Sequence, residues 1–345
     1  MRVVFGAGTR ATLAGEVERL AARRVLVLCT PTRRELAESV ASGLGERVVG
    51  TFAGATMHVP VDVARAACVA ANTRRADCCL AVGGGSTIGL AKAVALETGL
   101  PIVAIPTTYA GSEMTPIYGL TDAGGKTTGR DERVLPRTTI YDPELTLDLP
   151  ATISAASGFN AIAHAVEALY APDRNPIVEI MAEQSIAALA AALPAILREP
   201  RDLDVRAQAL YGAWLAGSVL GMASMGLHHK LCHTLGGAFG LAHAQTHAVV
   251  LPYAMAYNAA QTTSAMAAAA RAVGASSAGD AAGALFDLGA ALGLPRSLAE
   301  LGLRNDDLDL AAELAAASPY PNPRPVERDA LRLLLQSAFD GRRPS

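Results

Sequence analysis

Charge and cysteine are both scarce in this sequence, and each scarcity narrows what it can be. Only 18% of the residues are Asp, Glu, Lys or Arg, the formal net charge is -3, and 51% of the chain is hydrophobic. Such a chain carries neither the basic surface of a nucleic-acid binder nor the polar excess of a disordered segment. Any anionic ligand must therefore be held by local positive groups. The five cysteines, Cys29, Cys68, Cys78, Cys79 and Cys232, form no C-x-x-C pair. Most sit in apolar runs, where a reduced thiol acts as a small core residue. Also missing are a continuous apolar leader in "MRVVFGAG" and any run of about 18 uninterrupted apolar residues of the kind a membrane span needs. Together these absences predict a soluble, cytoplasmic protein with no nucleic-acid or membrane partner.

What is present is pattern. At 345 residues the chain is too long for one small core, and two domains are expected, residues 1–150 and 151–345. In the first, short β-branched runs recur at "VLVLC" (25–29), "RVVGTFA" (47–53), "CCLAVGGG" (78–85), "PIVAIP" (101–106) and "TTIYDP" (138–143). Helix-compatible segments separate the first four. That alternation predicts βαβ crossovers and a mainly parallel sheet, hence an α/β nucleotide-binding domain. After Pro150 the strand signals fade. Ala, Leu and Met recur with helical period in "VEIMAEQSIAALAAALPAIL" and "ALYGAWLAGSVLGMASMGLHHKLCHTL", which predicts an all-α second domain.

Two glycine-rich segments and one hydroxyl-rich loop bear on a phosphate-bearing cofactor. In "AVGGGSTIGLAK" an apolar strand runs into Gly83, Gly84 and Gly85, and a helix should begin near Ser86. Glycines let the backbone approach a diphosphate, and unpaired amides at a helix start favour negative charge. The alternative is a tight turn that holds nothing. "PTTYAGSEMTP" follows a strand and offers the hydroxyls of Thr107, Thr108 and Ser112 beside Gly111. Ligands of open α/β sheets sit beyond the C-terminal strand ends, so this loop can face the same cofactor as Gly84, Gly85 and Ser86. An ordinary polar connection would look the same. "GAGTRA" (6–11) matches a dinucleotide fingerprint superficially, but Cys29, Thr30 and Pro31 stand where an acid should end the next strand. We read it as a turn.

Histidine is the other concentration, with His228, His229, His233, His243 and His247 among only seven in the chain. His229 and His233, four apart, share one face of a predicted helix; "GG" at 236 and 237 ends it, and a loop returns His243. Asn160 and His164 form a second i, i+4 pair that could face them from another helix, as in bundle-core sites. His228 and His247 are ambiguous between packing and function. Divalent-metal sites usually include a carboxylate or leave a position open beside three imidazoles. Asn160 brings no negative charge, which weakens a metal role without removing it.

The segments "GGGSTIGLAK", "PTTYAGSEMTPIYGLTD", "GRDERVLPRTTIYDPELTLDLP", "SGFNAIAHAVEALYA" and "GLHHKLCHTLGGAFGLAHAQTHAVVLPY" occur in this order over nearly the whole chain. They resemble the maleylacetate reductase branch of the iron-containing alcohol dehydrogenase family. The resemblance implies an N-terminal α/β nucleotide-binding domain, a helical C-terminal domain, a cleft between them and a homodimer. Metal-dependent members of that family hold iron or zinc with an Asp and three His. Matching the motifs puts Asn160, His164, His229 and His243 at those positions and His233 at the adjacent catalytic histidine. Asn160 replaces the aspartate, and Gly89 stands where such relatives carry a further Asp. Both departures resemble the maleylacetate reductases, which are generally regarded as not needing metal, so no obligatory metal is expected.

The reaction the resemblance implies is reduction of the carbon–carbon double bond of maleylacetate to 3-oxoadipate by NADH or NADPH, in the breakdown of aromatic and chloroaromatic compounds. Hydride arriving β to the ketone leaves an enolate, which needs hydrogen-bond donors at oxygen and a proton at the α carbon. Imidazoles can supply both, whereas alcohol oxidation gains more from a metal. His243 and His233 lead as proton donors or enolate stabilisers, with His164, His229 and Asn160 shaping the pocket. For the dianionic substrate, Lys230 and Arg130 are the candidate cations, with Lys126 a further one. Arg33 and Arg34 follow Thr30 where an acid would select against a 2′-phosphate, so NADPH should be accepted beside NADH. The alternatives are a metal-dependent alcohol dehydrogenase of the same family, a lyase of the dehydroquinate synthase type, and a non-catalytic nucleotide-binding protein.

Overall fold

The computed structural model describes residues 1–122 and 125–344, in two compact units, Met1–Leu149 and Pro150–Ser345. The first unit contains β1 (Arg2–Phe5), α1 (Leu13–Arg19), β2 (Val25–Leu28), α2 (Arg34–Ala41), β3 (Val48–Phe52), α3 (Val61–Thr73), β4 (Cys78–Gly83), α4 (Gly85–Thr98), β5 (Ile102–Pro106), β6 (Ile117–Asp122), β7 (Gly125–Arg130) and β8 (Thr138–Tyr141). Six strands form a sheet in the order β1-β8-β5-β4-β2-β3, and every pairing in it is parallel.

Successive side chains of a strand point to opposite faces. Leu26, Leu28, Cys79 and Ala81 therefore meet Ala67, Ala71, Leu90 and Val94 from α3 and α4, while Val25, Val27, Cys78 and Leu80 meet Leu13, Val17, Ala37 and Ala41 from α1 and α2. With both faces covered, β2, β4, β5 and β8 are buried along their whole length, which is why β2, β4 and β5 read as unbroken apolar runs. All five expected runs form strands. Two features were not expected: β1, a half-exposed edge strand of four residues, and the antiparallel β6–β7 hairpin, whose β6 is half-exposed without period-2 alternation.

The second unit is helical: α5 (Ala151–Leu169), α6 (Pro176–Arg198), α7 (Leu203–Met222), α8 (Leu227–Phe239), α9 (His243–Asn258), α10 (Thr263–Val273), α11 (Ala281–Ala291), α12 (Leu308–Ala316) and α13 (Arg328–Asp340). Asn175 caps α6 through the amides of Ile177 and Val178, with Pro176 at its first position, and Asp202 caps α7. Every residue of α5 from Ser154 to Leu169 is buried, the state of a helix enclosed on all sides. Small residues permit this enclosure: a Cβ on Gly158 would come 2.6 Å from Leu193 of α6. Any polar side chain on α5 must consequently find its partners inside the protein.

Two helices bear on the sequence expectations. α6 is long and apolar enough to cross a membrane by length and composition. A search for uninterrupted apolar runs passes it over, because alanine sustains the mean hydropathy between Glu179, Glu183 and Gln184. In the structure its buried residues include Val178, Ile186, Leu189 and Leu193, and it packs on α5 and α7. Secondly, Gly236 and Gly237 do not end α8. The helix continues to Phe239 and stops at Gly240, which adopts φ 71, a left-handed conformation that glycine takes without strain.

Candidate active site

In the first unit the strand order reverses between β2 and β4, and open α/β sheets bind nucleotides at such a switch point, beyond the strand ends. β4 leads there into Gly84, Gly85 and Ser86. A Cβ on Gly84 would lie 2.7 Å from Thr108 Cγ2, so the approach of the loop after β5 requires glycine. The Thr107 amide donates to the Gly83 carbonyl at 3.1 Å, joining the same two segments. No side chain caps α4, which leaves its first amides, those of Gly85 and Ser86, for a diphosphate. The structure thus brings Gly84, Gly85, Ser86, Thr107 and Thr108 together. The other glycine segment is a turn: the amides of Gly8 and Arg10 donate to the Asp142 carboxylate at 3.0 and 3.1 Å, so the chain's own anion occupies them.

Ser112 has a different environment from the one expected. Lys92 of α4 is wholly buried and donates to the Ser112 carbonyl at 2.6 Å, Thr115 Oγ1 at 2.8 Å and the Ile117 carbonyl at 2.7 Å. The Ser112 hydroxyl lies 3.3 Å from the same Nζ, which ties it to the scaffold. Burial pushes the Lys92 ammonium down to about 7, partly opposed by Glu113. Glu113, also buried, accepts from the Tyr141 hydroxyl at 2.7 Å, and burial pushes its carboxyl up. Sequence reasoning missed Lys92, although it closes the "GGGSTIGLAK" segment.

In the second unit α5 supplies Asn160, His164 and Glu167, α8 supplies His228, His229 and His233, and α9 begins at His243 and carries His247. The rings form one continuous cluster. His164 stacks on His229 with centroids 5.1 Å apart, His229 lies 5.0 Å from His247, His247 4.3 Å from His243, and His243 6.4 Å from His233. His228 Nε2 and His247 Nδ1 share a hydrogen bond of 2.9 Å, so these two form a buried wall beneath the cluster. Burial, then the neighbouring imidazoles, pushes His164, His228 and His247 well below the ordinary histidine range. They are neutral at physiological pH. His233 is exposed and His243 half-buried.

Asn160 Oδ1, His164 Nδ1 and His229 Nε2 are buried without a protein partner. Such atoms cost about 1–3 kcal/mol each unless a ligand completes them. Glu167, which no spacing rule had singled out, has Oε2 in a 2.6 Å hydrogen bond with His229 Nδ1. Of the candidate cations, Lys230 is half-buried with Nζ 5.9 Å from the Tyr320 ring centre, and Arg130 is exposed at the end of β7 in the first unit. The Lys126 side chain lies outside the described residues.

Both units match one family. The description "Iron-containing alcohol dehydrogenase" fits residues 1–143, and "Fe-containing alcohol dehydrogenase family, C-terminal" fits residues 154–339. The chain belongs to the iron-containing alcohol dehydrogenase family. More particularly, the maleylacetate reductase of Burkholderia cepacia is 60% identical over 344 residues, covering 100% of this chain and 97% of that protein. The crystal structure of maleylacetate reductase from Agrobacterium tumefaciens superposes with a TM-score of 0.95 at 53% identity, over 99% of this chain and 97% of that one. The iron-containing alcohol dehydrogenase of Corynebacterium glutamicum gives 0.93 at 45% identity, over 99% and 95%. These similarities place the chain in the maleylacetate reductase branch.

The family's name implies iron. Asn160, His164, His229 and His243 would offer three imidazoles and an amide; three neutral imidazoles with an open position can hold zinc, while the amide stands where a carboxylate would add negative charge. All four are uncharged donors when they ligate, and the buried Glu167 carboxylate stands behind one of them, His229. A separate buried trio, His228, Cys232 and His247, has ligand atoms within 4.8 Å of one another; there His228 Nε2 is already bonded to His247 Nδ1, while His247 Nε2 is buried without a protein partner.

Proposed function

We propose that this protein reduces the carbon–carbon double bond of maleylacetate to give 3-oxoadipate, with NADH or NADPH as reductant and no obligatory metal. The observation that carries the proposal is the neutral amide of Asn160 in a site otherwise built of imidazoles. Such a site suits hydride addition to an activated alkene better than ionisation of an alcohol. The full-length similarity to maleylacetate reductases supports the substrate.

When bound, a reduced nicotinamide would supply hydride to the carbon β to the ketone, the electron pair of the double bond moving to the ketone oxygen. The protein must then stabilise that oxygen and protonate the α carbon. His229 and His164 are buried, stacked and incompletely bonded, and so are placed to hydrogen-bond the developing enolate. His233 and His243, exposed and half-buried, can exchange protons with solvent and serve as the proton source. In the first unit the Gly84–Ser86 turn and Thr107–Thr108 hold the cofactor phosphates. Arg33 and Arg34 support acceptance of a 2′-phosphate; Arg34 is already paired with Glu38 at 2.9 Å, leaving Arg33 as the better contact. Lys230 and Arg130 are proposed to meet the substrate carboxylates. A homodimer and a cytoplasmic location complete the proposal, the latter supported by five buried free thiols.

The test is oxidation of NADH and of NADPH by the purified protein with maleylacetate, with and without a chelator. Turnover with both nicotinamides, unchanged by chelation, is expected. A protein inert until iron or zinc is restored, and then active on alcohols, would be a metal-dependent alcohol dehydrogenase instead.

A further inference from the structure

We propose that Glu167 is the positioning residue of the histidine cluster: it fixes His229 with its proton on Nδ1 and aims Nε2 at the substrate. This inference rests on the function proposed above for the same cluster. Glu167 lies seven residues after Asn160 and three after His164 on α5, so all three project from one side of that helix. Its side chain is wholly buried, and three backbone N–H groups and the His229 ring converge on it. Oε1 accepts from the His228 amide at 2.8 Å. Oε2 accepts from the amides of Gly226 and His229 at 3.1 and 3.3 Å, and lies 2.6 Å from His229 Nδ1.

The first three of these donors are amides of the first turn of α8, which has no cap from its own side chains. A carboxylate from another helix thus performs the capping, where the helix dipole favours negative charge. The site also explains Gly226: a Cβ there would lie 2.8 Å from the Pro321 carbonyl and 3.3 Å from Glu167 Oε1. An ionised carboxylate only accepts, and each of its oxygens faces backbone donors that cannot be reversed. The shared proton must therefore reside on His229 Nδ1. Nε2 is left as the working nitrogen, and it is the ring atom buried with no protein partner. The ring is held from three sides: by Glu167, by the stacked His164 and by His247. Capping alone would require the amides of α8 but not the short contact to the imidazole.

The experiment is nitrogen NMR on protein labelled with 15N-histidine, the His229 signals being assigned by their loss in His229→Gln. A protonated Nδ1 is expected in the wild-type protein, and an unprotonated Nδ1 overturns the proposal whatever the variants do. In parallel, Glu167→Gln should lower kcat per folded site about 10- to 100-fold, with KM for maleylacetate within about threefold. Glu167→Asp, a carboxylate on a shorter arm, should recover part of the loss. In a His229→Gln background the Glu167→Gln change should cost less than about twofold, because its route to the substrate is gone. An unchanged kcat in Glu167→Gln, or equal losses in both backgrounds, would reduce Glu167 to a helix cap. If Glu167→Gln does not fold, Glu167→Asp carries the same comparison. Failure of the wild-type protein to reduce maleylacetate would overturn the proposed function, and the nitrogen spectrum would still decide the tautomer.

Discussion

Lys92 in the first unit and Glu167 in the second are buried charged side chains behind ligand-facing segments, and the two work in opposite directions. Lys92 gives its protons to the Ser112 carbonyl, Thr115 Oγ1 and the Ile117 carbonyl, and that network is closed within the protein. Glu167 collects amides at the start of α8 and one imidazole N–H, and leaves that imidazole's other nitrogen unpaired. The first charge therefore holds a loop in shape, and the second exposes a valence to a ligand. Buried polar atoms without partners are destabilising in the free protein, so their concentration around Asn160, His164 and His229 marks where reacting groups belong. The first unit should respond to substitution mainly through stability and cofactor affinity, the second mainly through turnover.

The largest effects are expected in the second unit. His243→Ala and His233→Ala should each lower kcat for maleylacetate about 100-fold or more, the usual range for loss of a general acid, with little change in thermal stability because neither ring is fully buried. Steady-state kinetics and a melting curve on the same sample check this. Unchanged turnover in both variants would remove these residues from proton transfer and break the contrast between the units.

A smaller and different effect is expected from Lys92→Met. It removes the shared donor of two carbonyls and a hydroxyl, of which the Ser112 carbonyl and the Thr115 hydroxyl keep each other; the loss should cost about 1–3 kcal/mol of stability and raise the KM for the nicotinamide more than it lowers kcat. The variant also has a pH signature. The ammonium lies at about 7 in the folded protein against an ordinary 10.5, so between those values the unfolded chain binds the extra proton. Stability contributed at this position is least below the folded value and increases as pH rises through the window, by at most about 1.4 kcal/mol per pH unit. Denaturant titrations should show the wild-type advantage over Lys92→Met growing from about pH 7 to about pH 9. A constant difference would mean that the oxygen cage keeps Lys92 charged.

Legibility in the sequence followed the range of the forces involved. The strands β2, β3, β4, β5 and β8 announced themselves because packing on both faces, or one face and an edge, demands local apolar runs. β1 did not, since four residues acquire meaning only through pairing with β8, far along the chain. The β6–β7 hairpin was concealed in polar text around "DAGGK". His229 and His233 were legible from their spacing on one helix, and His164 from its i, i+4 partner. Lys92 and Glu167 were not, because a single charge in an alanine-rich helix resembles a solvated one until the loop after β5, or the start of α8, is set against it. Gly236 and Gly237 misled in the reverse direction: α8 passes through them because Gly240, next in the run, takes the left-handed stop.

The smallest expected effect concerns the candidate cations, one in each unit. Maleylacetate carries two carboxylates, and the chain as a whole is negative, so at least one positive side chain should lower its KM. Lys230 follows His229 directly, and its Nζ lies over Tyr320, a contact worth about 0.5–1 kcal/mol at exposed sites; moving the ammonium to a carboxylate would forfeit that contact. Lys230→Gln should consequently raise the KM for maleylacetate only about two- to fivefold, since partly exposed ion pairs contribute up to about 1 kcal/mol, with kcat unchanged and Lys230→Arg near wild type. Arg130 is exposed, so Arg130→Gln should show an effect of the same order that fades as salt is raised, while the Lys230 effect, from a half-buried position, persists. Comparing KM for maleylacetate at low and high ionic strength in the two variants distinguishes a cation that binds within the site from one that attracts the dianion at a distance. Equal salt sensitivity would assign both to long-range attraction and leave the histidine cluster as the sole source of specific contacts to the substrate.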